Sequence, residues 1–199
     1  MKKKHFSRYP ATWTLLLVNI ILFLALNVSP GLVDVFLLDP SVVTERPWTL
    51  VTVFFSHELL VHILLNMLLL FVFGTRLEAR ASAGVLTGVY VLCGFLGSLS
   101  ILSYASALGY SGGPVAGASA SAFGVVAAYG ALQPNALVLK SKSIHWVIAL
   151  FIVNALLTIQ NPQVSVGGPA HAVGIIVGWV CGYLLRRKYG EVGLASYKN

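Results

Sequence analysis

Long apolar stretches, broken by short clusters of Gly, Pro and charge, run from one end of the chain to the other. Each approaches the length of about 20 residues that carries an α-helix across a hydrocarbon core. The breaks predict six membrane helices, near residues 11–28, 54–74, 84–105, 115–132, 144–161 and 168–186. The first stretch follows the basic start Met1-Lys2-Lys3-Lys4, as a signal peptide would, but it has no small-residue cleavage site. Further spans follow it, so it is read as a retained helix.

Composition narrows the class. Hydrophobic residues occupy 57% of the 199 positions and charged residues 10%, too few charges to clothe a soluble globule of this size. The expected organisation is a short N-terminal segment (1–10), one membrane domain (11–186) and a tail (187–199). A net charge of +7 could suggest nucleic acid, but the basic residues form no continuous face. They cluster at the N-terminus, at Arg76 and Arg80, at Lys140 and Lys142, and in the tail, with Arg46 alone elsewhere. With six spans those four regions share one side, which the positive-inside rule makes the cytoplasm, so both termini are expected there. The lipid bilayer is the expected partner and no nucleic acid is. Cys93 and Cys181 lie within apolar stretches without metal-ligand spacing.

The first connection, residues 29–53, mixes Asp34, Asp39 and Glu45 with Leu32, Val35, Phe36 and Leu37, a pattern that suits the outer membrane interface. Gly112-Gly113-Pro114 and Gly167-Gly168-Pro169 each close an irregular stretch and place Pro where a helix can begin.

Strongly polar groups inside lipid are costly and suggest function. Here they are His57, Glu58, His62 and Asn66 in the second span, Ser119 and Ser121 in the fourth, Asn154 in the fifth and His171 in the sixth, with Asn19 apart in the first. The second, fourth and sixth spans run in the same direction. Counting about 1.5 Å per residue from their outer ends puts His62, Ser119 and His171 at a similar depth. His62 and Asn66, four apart, share a helix face. Small residues accompany the polar ones: Gly174, Gly178 and Gly182 after His171, and Gly117, Gly124 and Ala128 around Ser119. Such stripes let helix backbones approach closely, the condition for a hydroxyl to reach an imidazole. Taken singly, each feature has a plainer reading. A membrane-helix Ser commonly bonds its own backbone, an intramembrane His can serve packing, and Gly stripes usually do so. Their convergence favours chemistry. The same stripes serve contacts within a bundle and between subunits, which leaves the oligomeric state open.

Three separated motifs, His57-x4-His62-x3-Asn66, Gly117-Ala118-Ser119-Ala120 and Ala170-His171-x2-Gly174-x3-Gly178, in this order on alternate spans, resemble the rhomboid family of intramembrane serine proteases. The resemblance runs from about Trp48 to Gly182 and extends to Gly74-x3-Glu78 and to Phe123, four residues after the Ser. It implies an all-α membrane protein, a six-transmembrane-helix bundle of rhomboid type. A wet cavity would open to the extracytoplasmic side of a cell membrane. It implies Ser119 as nucleophile and His171 as general base. Ser119 N–H, His62 and Asn66 would form the oxyanion hole, with His57, Phe123, Gly117 and Gly174 in support. The substrates would be transmembrane proteins, and neither cofactor nor metal would take part. Two positions depart from the family pattern. Thr49 follows Trp48 where Arg is common, Arg46 standing two residues before Trp48, and Ala120 follows the Ser where Gly is common.

His57-Glu58-x3-His62 suggests an intramembrane zinc protease, but a zinc-binding helix face needs His at i and i+4, and this spacing is i+5. No span holds an Asp for an aspartyl protease, and the polar groups lie nearer the outer face than the midplane site of a transporter. A catalytically silent rhomboid-like protein that binds transmembrane helices is the non-enzyme alternative.

Overall fold

The computed structural model describes residues 8–110, 112–162 and 166–195, with side chains as far as residue 190. Lys2, Lys3, Lys4 and Lys198, used above for orientation, lie outside the described residues. The protein is mostly helical. Its long helices are α1 (Pro10–Val28), α2 (Leu60–Arg80), α3 (Ala83–Leu108), α4 (Ser119–Leu132), α5 (Ser143–Gln160) and α6 (Gly168–Ala195). Among the described residues, five of these are long and apolar enough to cross a membrane. The other, α4, has 14 residues, about 21 Å at 1.5 Å per residue, and is buried along nearly its whole length. Large apolar side chains on α1, α2, α3, α5 and α6 remain exposed, among them Ile21, Leu24, Leu64, Leu68, Phe151, Leu156, Ile176 and Leu184. In water such a surface would aggregate, whereas lipid solvates it.

Local chemistry sets the helix ends. Pro10 opens α1, where its missing N–H costs nothing. Ser82 caps α3 by accepting from Val85 N–H at 3.2 Å, and Gly109, at φ +60°, closes it in the left-handed region. The second span starts later than expected. Val53–Phe55 forms a 3₁₀ turn and Ser56 is extended, so His57 and Glu58 precede α2 instead of lying within it. At its other end α2 passes through a π turn at Leu70–Gly74 and continues to Arg80. A tight two-stranded hairpin, β1 (Leu137–Val138) and β2 (Ser141–Lys142), joins α4 to α5.

The first connection is packed onto the helices, more ordered than an interfacial loop requires. Its turns bury Leu37, Leu38, Val53 and Phe54. Three side chains satisfy the free carbonyls that end the short helix Val33–Phe36. Arg46 Nη1 donates to Asp34 O at 2.7 Å, Trp48 Nε1 to Val35 O at 2.9 Å, and Thr52 Oγ1 to Phe36 O at 2.7 Å. Arg46 thus anchors this loop from a position two residues before Trp48. Leu38 and Val115 then exchange backbone hydrogen bonds of 3.0 and 2.8 Å, which ties the loop to the segment leading into α4.

Two buried polar ties fix α1. Asn19 Nδ2 donates to Tyr90 OH on α3 at 3.0 Å, and Tyr90 OH donates to Phe54 O at 2.7 Å. Glu78 on α2 accepts from Ala11 N–H at 2.9 Å, Thr12 N–H at 2.8 Å and Thr12 Oγ1 at 2.7 Å. A carboxylate at a helix N-terminus meets the positive end of the dipole and the orphan N–H groups together. Glu78→Ala is therefore expected to destabilise the fold by about 3 kcal/mol, since bonds to a charged acceptor are lost and buried donors stay unpaired. Thermal unfolding in detergent would show the lower midpoint, and limited proteolysis would show α1 released first.

Candidate active site

The N-terminal ends of α2, α4 and α6 meet around one cavity of about 360 Å³. His62 on α2, Ser119 on α4 and His171 on α6 all line it, as do Gly94 and Ser98 on α3 and Asn154 and Thr158 on α5. The three side chains expected to share a depth do share a cavity, although α4 begins at Ser119 itself and not at residue 115. Before it the chain is irregular, with Gly117 at φ +149°.

Ser119 Oγ lies 2.5 Å from His171 Nε2. A ladder of small residues brings the two helices this close. A Cβ at Gly174, Gly178 or Gly182 of α6 would run into the carbonyl of Ala120, Gly124 or Ala128 of α4. Spaced four apart on both helices, these contacts hold a single register over two turns. Ala120 is accommodated by α3: a Cβ on Gly97 would come 2.7 Å from its methyl. Phe123, one turn along α4, sets its ring 5.0 Å from the His171 ring and restrains it from the side.

Gly117 brings the chain against His62 beside the hydroxyl. A Cβ there would lie 2.7 Å from His62 Cε1, 3.2 Å from His62 Nε2 and 3.4 Å from Ser119 Oγ, so only glycine lets His62 come this close to the backbone beside Ser119. The backbone is also prepared. The first hydrogen bond of α4 runs from Ala122 N–H to Ala118 O, so the N–H of Ser119 has no acceptor within its own helix.

Asn66 stands behind the cavity wall. It is buried, and its Nδ2 lies 3.1 Å from His57 Nε2. That nitrogen also accepts from Ala118 N–H at 3.4 Å. Two donors on one ring nitrogen make His57 Nε2 the acceptor and place the ring proton on Nδ1. His57 therefore connects Asn66 to the residue before Ser119, and its ring meets His62 edge to face at 5.1 Å. The i+5 pair His57 and His62 is not displayed on one helix face, because His57 precedes α2. Among the described residues no three His, Cys, Asp or Glu side chains gather as a metal site would require.

Asn154 enters the site unannounced by any motif. Its Oδ1 lies 2.8 Å from His171 Nδ1, and its Nδ2 donates to Gly168 O at 3.0 Å. Its rarity as a buried amide in an apolar helix was the only signal.

A rhomboid domain model matches residues 44–188. The chain is also similar to the mitochondrial RHOMBOID-like protein 6 of Arabidopsis thaliana, 30% identical over 157 residues. That match takes in 78% of this chain and 48% of the relative, so the chain spans about half the length of the relative it matches. With its apolar helices it is a multi-pass membrane protein, and it belongs to the rhomboid family.

Proposed function

We propose that the protein is an intramembrane serine endopeptidase that hydrolyses peptide bonds in or near the transmembrane helices of membrane proteins. The observation that carries this reading is the 2.5 Å approach of Ser119 Oγ to His171 Nε2 at the wall of a cavity. The relative's name mentions no activity, and the proposal rests on the site.

In this mechanism Ser119 Oγ attacks the substrate carbonyl carbon while His171 Nε2 takes the hydroxyl proton. The C–N bond breaks as His171 returns that proton to the leaving amine, and the acyl group stays on Ser119. Water then attacks the ester, again with His171 as base, to release the new carboxylate. The oxyanion sits in the cavity between Gly117, His62 and Ser119. Ser119 N–H and His62, both at the cavity, are its donors, and Asn66, packed against His57 with one amide hydrogen free, supports them from behind. The dipole of α4, positive at Ser119, adds to their effect. The cavity brings in the water that lipid excludes.

The distribution of Lys and Arg supports the finer topology. Six crossings, α4 the short central one, put residues 1–10 and 187–199 in the cytoplasm around a membrane domain of 11–186. The cavity, at the opposite ends of α2, α4 and α6, then opens on the extracytoplasmic side of the cell membrane. Its natural partners are transmembrane substrates whose helices unwind easily, with Gly, Ser, Ala or Pro near the outer end.

The test is cleavage of a model transmembrane substrate by purified protein in proteoliposomes, with the new N-terminus sequenced. A single cut near the outer end of the helix supports the proposal, whereas binding without cleavage would turn it towards a silent helix-binding protein. His62→Ala and Asn66→Ala are each expected to lower kcat about 10²- to 10³-fold, as removal of one oxyanion donor does, with a smaller change in KM. Steady-state kinetics on the same substrate measures both.

A further inference from the structure

We propose that Asn154 is the positioning residue of this site, and that through it the competence of His171 depends on how α5 is seated; this rests on the protease reading above. Asn154 Nδ2 donates to Gly168 O at 3.0 Å, which settles which way the side chain faces. Only the oxygen is left for His171 Nδ1, 2.8 Å away. An amide oxygen can only accept, so Nδ1 carries the ring proton and the neutral ring leaves Nε2 bare. Nε2 is the atom that faces the Ser119 hydroxyl. The other tautomer would set two lone pairs against each other at Asn154 and present an N–H to a hydroxyl that must lose its proton. Asn154 thus does for the imidazole what a carboxylate does elsewhere, without bringing a charge into the membrane.

Asn154 is on α5, whose apolar window is the least buried of the five long spans. Asn154 and Thr158, one turn apart on α5, both press on Gly168, the first residue of α6. A Cβ at Gly168 would collide with Thr158 Oγ1 and come 2.9 Å from its Cγ2 and 3.0 Å from its Cβ. One face of this peripheral helix therefore holds both the backbone at the start of α6 and the ring one turn further on. When α5 moves outward, the acceptor for Nδ1–H leaves with it, and His171 loses its tautomer and its orientation together.

Three variants test this against wild type, read by kcat and KM on a model transmembrane substrate. ¹⁵N NMR of histidine-labelled protein reports the His171 tautomer, its signals assigned by their loss in His171→Ala. Asn154→Leu is expected to lower kcat about 10²-fold, the scale of a misaligned reacting group, with KM little changed and a mixture of tautomers. Asn154→Asp, which keeps an oxygen facing Nδ1, restores at least a tenth of the wild-type kcat and the Nδ1–H tautomer. Gly168→Ala, which touches no reacting group, lowers kcat by forcing α5 away, and adding Thr158→Ala recovers part of it. Unchanged kcat in Asn154→Leu, or equal losses in the Leu and Asp variants with the wild-type tautomer kept in both, would overturn the role of Asn154. Unchanged kcat in Gly168→Ala would overturn the dependence on α5. An inactive wild type would instead reject the protease reading, which the tautomer measurement keeps separate.

Discussion

Ser119→Ala and His171→Ala are each expected to bring cleavage of a transmembrane substrate down to background, a loss of roughly five to six orders of magnitude by analogy with other serine nucleophiles. The physical reason is shared. Without the hydroxyl no acyl intermediate forms, and without Nε2 the hydroxyl keeps its proton at neutral pH. The double variant should be no worse than either single one, because the two groups act as a unit and their effects do not add. Both substitutions remove atoms at the edge of a cavity, so thermal midpoints in detergent should stay near wild type while activity disappears. Comparable losses of stability and activity would mean that the pair holds the helices together and does no chemistry. Cleavage retained by Ser119→Ala would direct attention to Ser121, which is fully buried one helical step inward.

A second large effect is expected two turns below the site. Gly178→Leu places a side chain where the carbonyl of Gly124 already lies, and a backbone atom cannot swing aside as a side-chain tip can. The helices must part, at an expected cost of roughly 3 kcal/mol from overpacking, and the separation carries His171 away from Ser119. Both thermal midpoint and cleavage should fall. Gly88→Ala on α3 provides the opposite sign. Nothing lies within 4 Å of a Cβ there, so the better helix propensity of Ala should stabilise by about 0.5–1 kcal/mol and leave cleavage unchanged. Melting curves of the two variants, recorded side by side, separate a glycine that permits contact from one that merely occupies a helix.

The pattern of the chain made some of this legible and hid the rest for identifiable reasons. Apolar length located α1, α3, α5 and the start of α6 to within a few residues, because lipid demands long uninterrupted runs. The start of α2 was misplaced because Val53-Phe54-Phe55 is as apolar as a membrane helix but buries itself against the helices as part of a loop. Likewise α4 begins at Ser119, since Gly117 adopts a positive φ that no helix continues through. His62, Ser119 and His171 stood out because polar groups in lipid are rare, and the structure puts them on one cavity. Asn66, paired with His62 by its spacing, contacts His57 Nε2 at 3.1 Å, a partner that helix periodicity does not announce because His57 precedes α2. The role of Asn154 could not be read at all. Its partners, Gly168 and His171, lie 14 and 17 residues away across a loop, and no helical period connects them. Arg46 and Trp48 were similarly opaque, because their partners are backbone carbonyls, which have no signature in a sequence.

The chemical pairing of Ser119 with His171 can be measured without knowing any substrate. A fluorophosphonate reacts with a serine whose hydroxyl is deprotonated by a neighbouring base: Oγ bonds to phosphorus and fluoride leaves. Purified protein treated with such a probe, digested and analysed by tandem mass spectrometry should carry the phosphonyl group on Ser119, and His171→Ala should carry none. An adduct on Ser121 or another residue, or equal labelling of Ser119 with and without the imidazole, would contradict the account.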